Sequence, residues 1–198
     1  MTGDSRSDSE LLAGLPRQPE LMGVLYERHA LAVFRYLARR AGPPAAEDLL
    51  SEVFVAALTA SSRVVAHDSG SALPWLYGIA SNVLRAHFRQ RPAQSVNFDP
   101  GMDWDAIDDR LDAHAERGRL RATLADLSES DRELLLLVAW EGLTHGEAAT
   151  ALGISPVAAR SRLHRARMRA IKALERLRGG ESGGAVGVTT LYARGQAS

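Results

Sequence analysis

Apolar positions recur along most of this chain at spacings of three and four, the period of an α-helix rather than a strand. From Glu20 to Arg40, Leu21, Leu25, Phe34, Leu37 and Ala41 fall on or near one face. Arg39 and Arg40 fill the last turn, where cations complement the helix dipole. Gly42, Pro43 and Pro44 break the pattern. It resumes over Ala45 to Ala60, with Leu49, Leu50, Val53, Phe54 and Ala57 on one side and Glu47, Asp48, Ser51 and Glu52 on the other. Ser61 to Ser71 is small, polar and loop-like. A third helix is predicted over Leu73–Arg91, with Leu76, Ala80, Val83, Leu84 and Phe88 inward and Trp75, Gly78, Asn82, Arg85 and Arg89 on the opposite side. Further on, Leu120, Leu124 and Leu127 suggest another helix. Ser128 caps the next, with Leu134, Leu135, Val138 and Trp140 along it and Gly142 closing it.

Two short helices follow directly. Thr144 and Glu147 have capping-box spacing, so each satisfies an orphan donor of the first turn. Gly153 stops that helix after Leu152, because glycine adopts the left-handed stop conformation without strain. Ser155 caps a second helix with Pro156 at its first position, where a missing N–H costs nothing. Two short helices, a tight turn and a basic second member read as a helix-turn-helix. Ala159, Leu163, Ala166, Ala170 and Leu174 form the buried stripe of the second helix. Arg160, Ser161, His164, Arg165 and Arg167 lie largely off it, and no acid interrupts the basic run from Arg160 through Lys172. Arginine is the commonest reader of guanine edges and binds phosphate well. The alternative for any single arginine is a solvated basic face.

Composition narrows the chemistry. The 198 residues carry no net formal charge, so the basic charge is placed locally rather than spread as a nucleic-acid coat. The absence of cysteine excludes disulfide and thiolate chemistry. There is no zinc spacing, Gly-rich phosphate loop or Ser-His-Asp order, so neither a metal nor a cofactor is expected, and no catalytic residue. Met1 to Glu10 lacks the apolar core of a signal peptide, and no stretch is long enough to span a bilayer, so a cytoplasmic protein without membrane insertion is expected. The acids near the start of the second helix are either dipole partners or a docking face for a basic protein; a metal site would need more ligands. The polar side of the third helix combines an aromatic ring, an amide and two guanidiniums, which suits unstacked bases and phosphates, unless Trp75 is covered by a neighbouring helix. Pro92 to Asp112 holds Pro92, Pro100 and Gly101, then Asp103, Asp105, Asp108, Asp109 and Asp112, and reads as an acidic linker.

Three stretches carry a family resemblance: Leu25-Tyr26-Glu27-Arg28-His29 through Arg40, Ala46-Glu47-Asp48-Leu49-Leu50-Ser51-Glu52-Val53-Phe54, and Trp75-Leu76-Tyr77-Gly78-Ile79-Ala80-Ser81-Asn82. They resemble region two of bacterial sigma factors of the sigma-70 family, most nearly the extracytoplasmic-function (ECF) type. Leu127 to Leu174, with Glu141-Gly142-Leu143-Thr144 and Ser161-Arg162-Leu163-His164-Arg165-Ala166-Arg167, resembles their region four. The resemblance implies that Asp48, Leu49, Leu50, Ser51 and Glu52 bind the clamp helices of the large subunit of core RNA polymerase. It implies that Trp75, Asn82, Arg85 and Arg89 bind the minus-ten element, together with the loop Ser61–Ser71. Arg160, Ser161, His164 and Arg165 would read the minus-thirty-five element. The acidic linker would thread toward the RNA exit path. Promoter DNA and core polymerase are the implied partners, and an anti-sigma protein is one the family admits. Ser51 stands where the family usually has Gln, Gly78 where a basic residue is common, His145 and Gly146 where a Tyr-acid pair is usual, and Ala149 where a bulkier apolar residue is usual.

The expected architecture is therefore all-α: two small helical domains joined by an acidic flexible linker. Residues 1–17 are expected to be a disordered tail, 18–91 region two, 92–112 the linker, 113–178 region four and 179–198 a flexible tail. The expected function is promoter-specific transcription initiation without enzymatic chemistry of its own. The rival is a helix-turn-helix regulator or adaptor that does not act as a sigma factor. A response regulator would need an α/β receiver, and Met1 to Arg91 reads as helices only.

Overall fold

The computed structural model describes residues 4–63, 70–90, 123–124 and 127–179. Among them all regular structure is helical, as the periodicity predicts. They belong to two compact units, the first holding residues up to 101 and the second most of the remainder. The linker over 92–112, Leu120 and residues 180–198 lie outside the described residues, as does most of the loop before the third predicted helix.

The first unit contains α1 (Asp8–Gly14), α2 (Leu21–Ala41), α3 (Pro43–Ala60), a 3-10 turn (Ser61–Arg63) and α4 (Leu73–Gln90). The expectation of a disordered tail over residues 1–17 is corrected by α1. Ser7 and Glu10 form a capping box: the Glu10 backbone N–H donates to Ser7 Oγ at 3.3 Å, and Glu10 Oε2 accepts from the Ser7 backbone at 2.6 Å. A seven-residue helix is not stable alone in water. Leu11, Leu12 and Leu15 are almost fully buried, and a buried leucine contributes about 1.5–3 kcal/mol before its ordering cost. Tertiary burial thus holds a segment that is too short for local propensity.

Helices α2 and α3 meet at Gly42, whose φ of +82° suits glycine. The second helix starts at Pro43 rather than Ala45, because prolines fit a first turn whose N–H groups are orphaned anyway. Leu21, Leu25 and Leu37 are buried as expected, but Val33 and Tyr36 take the core places and Phe34 is only half-buried. Arg40 is buried as well. Its guanidinium sits 3.7 Å from the centroid of the Tyr36 ring and donates to the Tyr36 carbonyl at 3.1 Å. Tyr36 in turn packs against Tyr77 of α4, ring centroids 5.0 Å apart.

The second unit contains α5 (Glu129–Ala139), the first half of α6 (His145–Leu152) and α7 (Pro156–Gly179), while residues 149–154 group with the first unit. Leu134 and Leu137 of α5 and Leu163 of α7 are fully buried, and Ala159, Ala166, Ala170 and Ala173 keep the inner stripe of α7 small enough for α5 to approach. The side chain of Leu174 lies outside the described set. Before α5, Leu124 and Leu127 are buried, and Arg132 reaches back to their carbonyls at 2.7 and 3.2 Å.

Candidate nucleic-acid and polymerase interfaces

The helix-turn-helix is built as its local sequence dictates. The Thr144 backbone N–H and hydroxyl both donate to Glu147 Oε2, at 2.7 and 2.8 Å, and the Glu147 N–H donates to Thr144 Oγ1 at 3.2 Å. Gly153 has φ +64°, and the Ile154 N–H returns to the Ala149 carbonyl at 3.0 Å, the bond that closes a Schellman stop. Ser155 Oγ accepts from the Ala158 N–H at 3.2 Å. These bonds fix the start of α7, the end of a recognition helix that meets base edges.

On α7, Arg160, Ser161, His164 and Arg165 are all exposed, and their spacing gathers them on one face. Val157 and Met168 extend that face and are exposed too, at 77% and 43%. No acid interrupts the basic run along the sequence, but across the fold Asp131 of α5 offsets part of it. Arg162 Nε donates to Asp131 Oδ1 at 3.0 Å and its Nη2 donates to Ser130 Oγ, while Arg169 donates to Asp131 Oδ2 at 3.4 Å. Burial works against the charge on Asp131, but the hydrogen bonds from Arg162 and Ser128 and the charges of Arg162 and Arg169 outweigh it and hold the carboxyl below its ordinary range. The basic run therefore divides into two sets. Arg162 and Arg169 lock α7 to α5, and Arg160 and Arg165 face solvent. Arg167 is half-buried, off the exposed face. His145, at the start of α6, is pushed below its ordinary imidazole range by burial and then by Arg167 and Arg160.

On α3, Glu47, Asp48, Ser51 and Glu52 are exposed, Leu49 is buried and Leu50 half-buried, matching the two-sided pattern. Val55 and Leu58 are also exposed, at 66% and 42%. The sequence reading did not single them out. The signal was available, since Val55 lies seven residues after Asp48 and so falls on the same line of the helix. The face is thus acidic at its start and apolar further along.

On α4, Asn82, Arg85 and Arg89 are exposed and Trp75 is half-buried. Gly78 does not join them. The first half of α4 is buried around much of its girth, with Pro74, Tyr77, Gly78 and Ser81 buried alongside Leu76 and Ala80, so the expected continuous stripe is interrupted. Arg85 donates to Asn82 Oδ1 and to Ser81 Oγ, both at 3.0 Å. This engages the Asn82 amide oxygen, and its NH2 group supplies donors of the kind base acceptors take.

Comparison with known proteins agrees with this division. Residues 25–93 match the family model for sigma-70 region 2, and residues 117–169 match that for sigma-70 region 4. The ECF RNA polymerase sigma factor SigL of Mycobacterium tuberculosis is 30% identical over 148 residues, spanning 73% of this chain and 83% of SigL. The RNA polymerase sigma factor CarQ of Myxococcus xanthus is 36% identical over 146 residues, 71% of this chain and 82% of CarQ. Among solved structures, CnrH in complex with the cytosolic domain of CnrY is similar with a TM-score of 0.59 at 25% identity, over 86% of this chain and 99% of that one. RpoE of Bartonella quintana, solved with the anti-sigma factor NepR, shares the fold with a TM-score of 0.51 at 19% identity, over 76% of this chain and 96% of that one. The chain belongs to the sigma-70 family of RNA polymerase sigma factors, in its ECF group. No helix of the described residues is long and apolar enough to cross a membrane.

Proposed function

We propose that this protein binds core RNA polymerase and directs it to a subset of promoters, with each exposed face in a separate role. The α3 face, Asp48, Ser51 and Glu52 with Leu49 and Leu50 beneath them, docks on the clamp helices of the large subunit. Its combination of acids with exposed Val55 and Leu58 suits a helical partner that offers both basic and apolar groups. The α4 face holds unstacked minus-ten bases: Trp75 offers a ring edge or face, Asn82 an amide donor, and Arg85 and Arg89 neutralise phosphate. Holding those bases offsets part of the few kcal/mol that unstacking costs. The α7 face, Arg160, Ser161, His164 and Arg165, reads the minus-thirty-five element in the major groove. Polymerisation itself belongs to the polymerase; the protein is an initiation factor rather than an enzyme and works in the cytoplasm. Region two spans 18–91 and region four 113–178 in this reading, and 92–112 is the acidic connection between them. An anti-sigma protein is a further partner, as CnrH and RpoE were solved with CnrY and NepR.

The observation that carries the reading is the presence, in one chain, of both region matches, with exposed polar residues on α3, α4 and α7 inside the matched stretches. The test is retention of the protein on immobilised core polymerase. Reversing Asp48 and Glu52 to Lys leaves the helical fold intact, since both side chains are exposed, and abolishes retention. Unchanged retention of the double variant would assign these acids to the helix dipole alone.

A further inference from the structure

Asp8, at the first position of α1, is a well-connected polar side chain outside the three faces. Its side chain is only 11% exposed. Oδ1 accepts from Arg28 Nη1 at 2.9 Å, and Oδ2 meets His29 Nε2 at 2.6 Å; both partners are on α2. Oδ2 also accepts from the backbone N–H of Ala72 at 3.0 Å, across 64 residues of sequence. Ala72 is the residue that opens α4, because its carbonyl receives the Leu76 N–H at 3.0 Å. The start of α4 has few resources of its own. It carries no acid in its first turn, Pro74 has no N–H, and Ser71 Oγ accepts only from the Leu73 N–H at 3.2 Å. Asp8 therefore supplies from α1 what a capping-box glutamate supplies within one helix: an acceptor for the cap residue's N–H and a negative charge at the positive end of the dipole. α1 also lies beside the approach to that turn, since a Cβ built on Gly70 would be 3.7 Å from Ser9 Oγ. Burial opposes ionisation of Asp8, yet the Ala72 amide, Arg28 and His29 together hold the carboxyl below its ordinary range.

We propose that Asp8 is a positioning residue for promoter melting: one carboxylate, shared by the starts of α1 and α4 and braced by Arg28 and His29, fixes the first turn of α4 and so the placement of Trp75. The proposal rests on the assignment of α4 to the minus-ten element. It makes a prediction opposite to simple electrostatics. Removing an acid beside a DNA-binding face should by charge alone tighten DNA binding; removing a positioning acid weakens it.

The test uses holoenzyme assembled on core polymerase, with DNA from a promoter that the wild-type holoenzyme transcribes. One probe has the minus-ten segment pre-opened, and the other is duplex that ends upstream of that segment. Asp8→Ala is expected to weaken binding to the opened probe about tenfold, the effect of losing one charge-assisted hydrogen bond, and to leave the upstream probe unchanged. Asp8→Asn keeps an acceptor for the Ala72 N–H and should recover part of the loss; it also decides the matter if Asp8→Ala does not fold. Two comparisons separate the explanations. Val33→Ala destabilises the α2 core while leaving both groups of the Asp8–Ala72 hydrogen bond in place, and if it loses opened-probe binding as severely as Asp8→Ala, the positioning role is overturned. Trp75→Ala tests the underlying assignment. If Trp75→Ala weakens opened-probe binding while Asp8→Ala leaves it equal or tighter, the proposal fails and the minus-ten assignment stands. If neither variant changes that binding, the assignment fails and takes the proposal with it.

Discussion

The most quantitative expectation concerns Asp131, the acid that divides the basic run of α7. Replacing it with alanine removes the acceptor of Arg162 Nε at 3.0 Å and of Arg169 at 3.4 Å. A charge-assisted hydrogen bond of a partly buried pair contributes about 1.5–3 kcal/mol. Arg162 is a quarter exposed, which places its bond toward the lower end, and Arg169, at 59% exposed, adds under about 1 kcal/mol. Asp131 also sits in the first turn of α5, where a negative charge contributes about 0.3–1 kcal/mol. The sum for Asp131→Ala is a loss of about 2 kcal/mol, localised in the unit that contains α5 and α7. Amide hydrogen exchange on the full chain reads this directly: the slowest amides of α7 should exchange about thirtyfold faster, while those of α2 are unchanged. The pH dependence has a defined sign. Because the folded-state carboxyl is held below its ordinary value, its contribution is fully present above the unfolded value near ~4 and is lost as pH falls through the folded one. The difference between wild type and variant should thus be full at pH 7 and shrink below about pH 4. Equal exchange rates at pH 7, or a difference that does not shrink in acid, would refute the lock between α5 and α7.

Arg165→Ala is expected to lose about 1–3 kcal/mol of discrimination between matched and scrambled upstream elements when holoenzyme binding is measured at two salt concentrations; equal loss on both DNAs would assign Arg165 to the phosphate backbone, and no loss would remove the α7 face as the reader. Leu12→Ala empties a place in the α1 core and should cost about 2–5 kcal/mol of stability in urea unfolding; a cost under about 1 kcal/mol would mean that α1 is not docked as described. Thr144→Ala breaks the capping box of α6 and should cost about 1 kcal/mol, visible as faster exchange in α6 before any other helix.

What the sequence made legible was what local chemistry decides. Thr144, Glu147, Gly153, Ser155 and Pro156 each act within a turn or two, and the helix-turn-helix follows from them, with Arg160, Ser161, His164 and Arg165 exposed as expected and Arg167 half-buried. The two-sided pattern of α3 was equally plain, because one side meets the core and the other meets water. The misses are tertiary. α1 is too short for periodicity to identify, although Ser7 and Glu10 ahead of two leucines carried a capping signal in plain view. Nothing along α7 marks Arg162 as structural and Arg165 as exposed; the difference is made by Asp131, on another helix. The burial of Tyr77 in α4's first half depends likewise on Tyr36 of α2, which the α4 sequence does not mention. Asp8 is the extreme case, since its role depends on a backbone amide 64 residues away.

The central claim, that this chain converts core polymerase into a promoter-specific enzyme through separate faces on α3, α4 and α7, is tested most directly by run-off transcription across genomic promoter fragments. Core polymerase supplemented with the wild-type protein should give discrete transcripts from a small set of fragments that core alone does not give. The variant with Asp48 and Glu52 reversed to Lys should give none of them. No discrete transcript above the core-alone background, or the same transcripts from the double variant, would contradict the account.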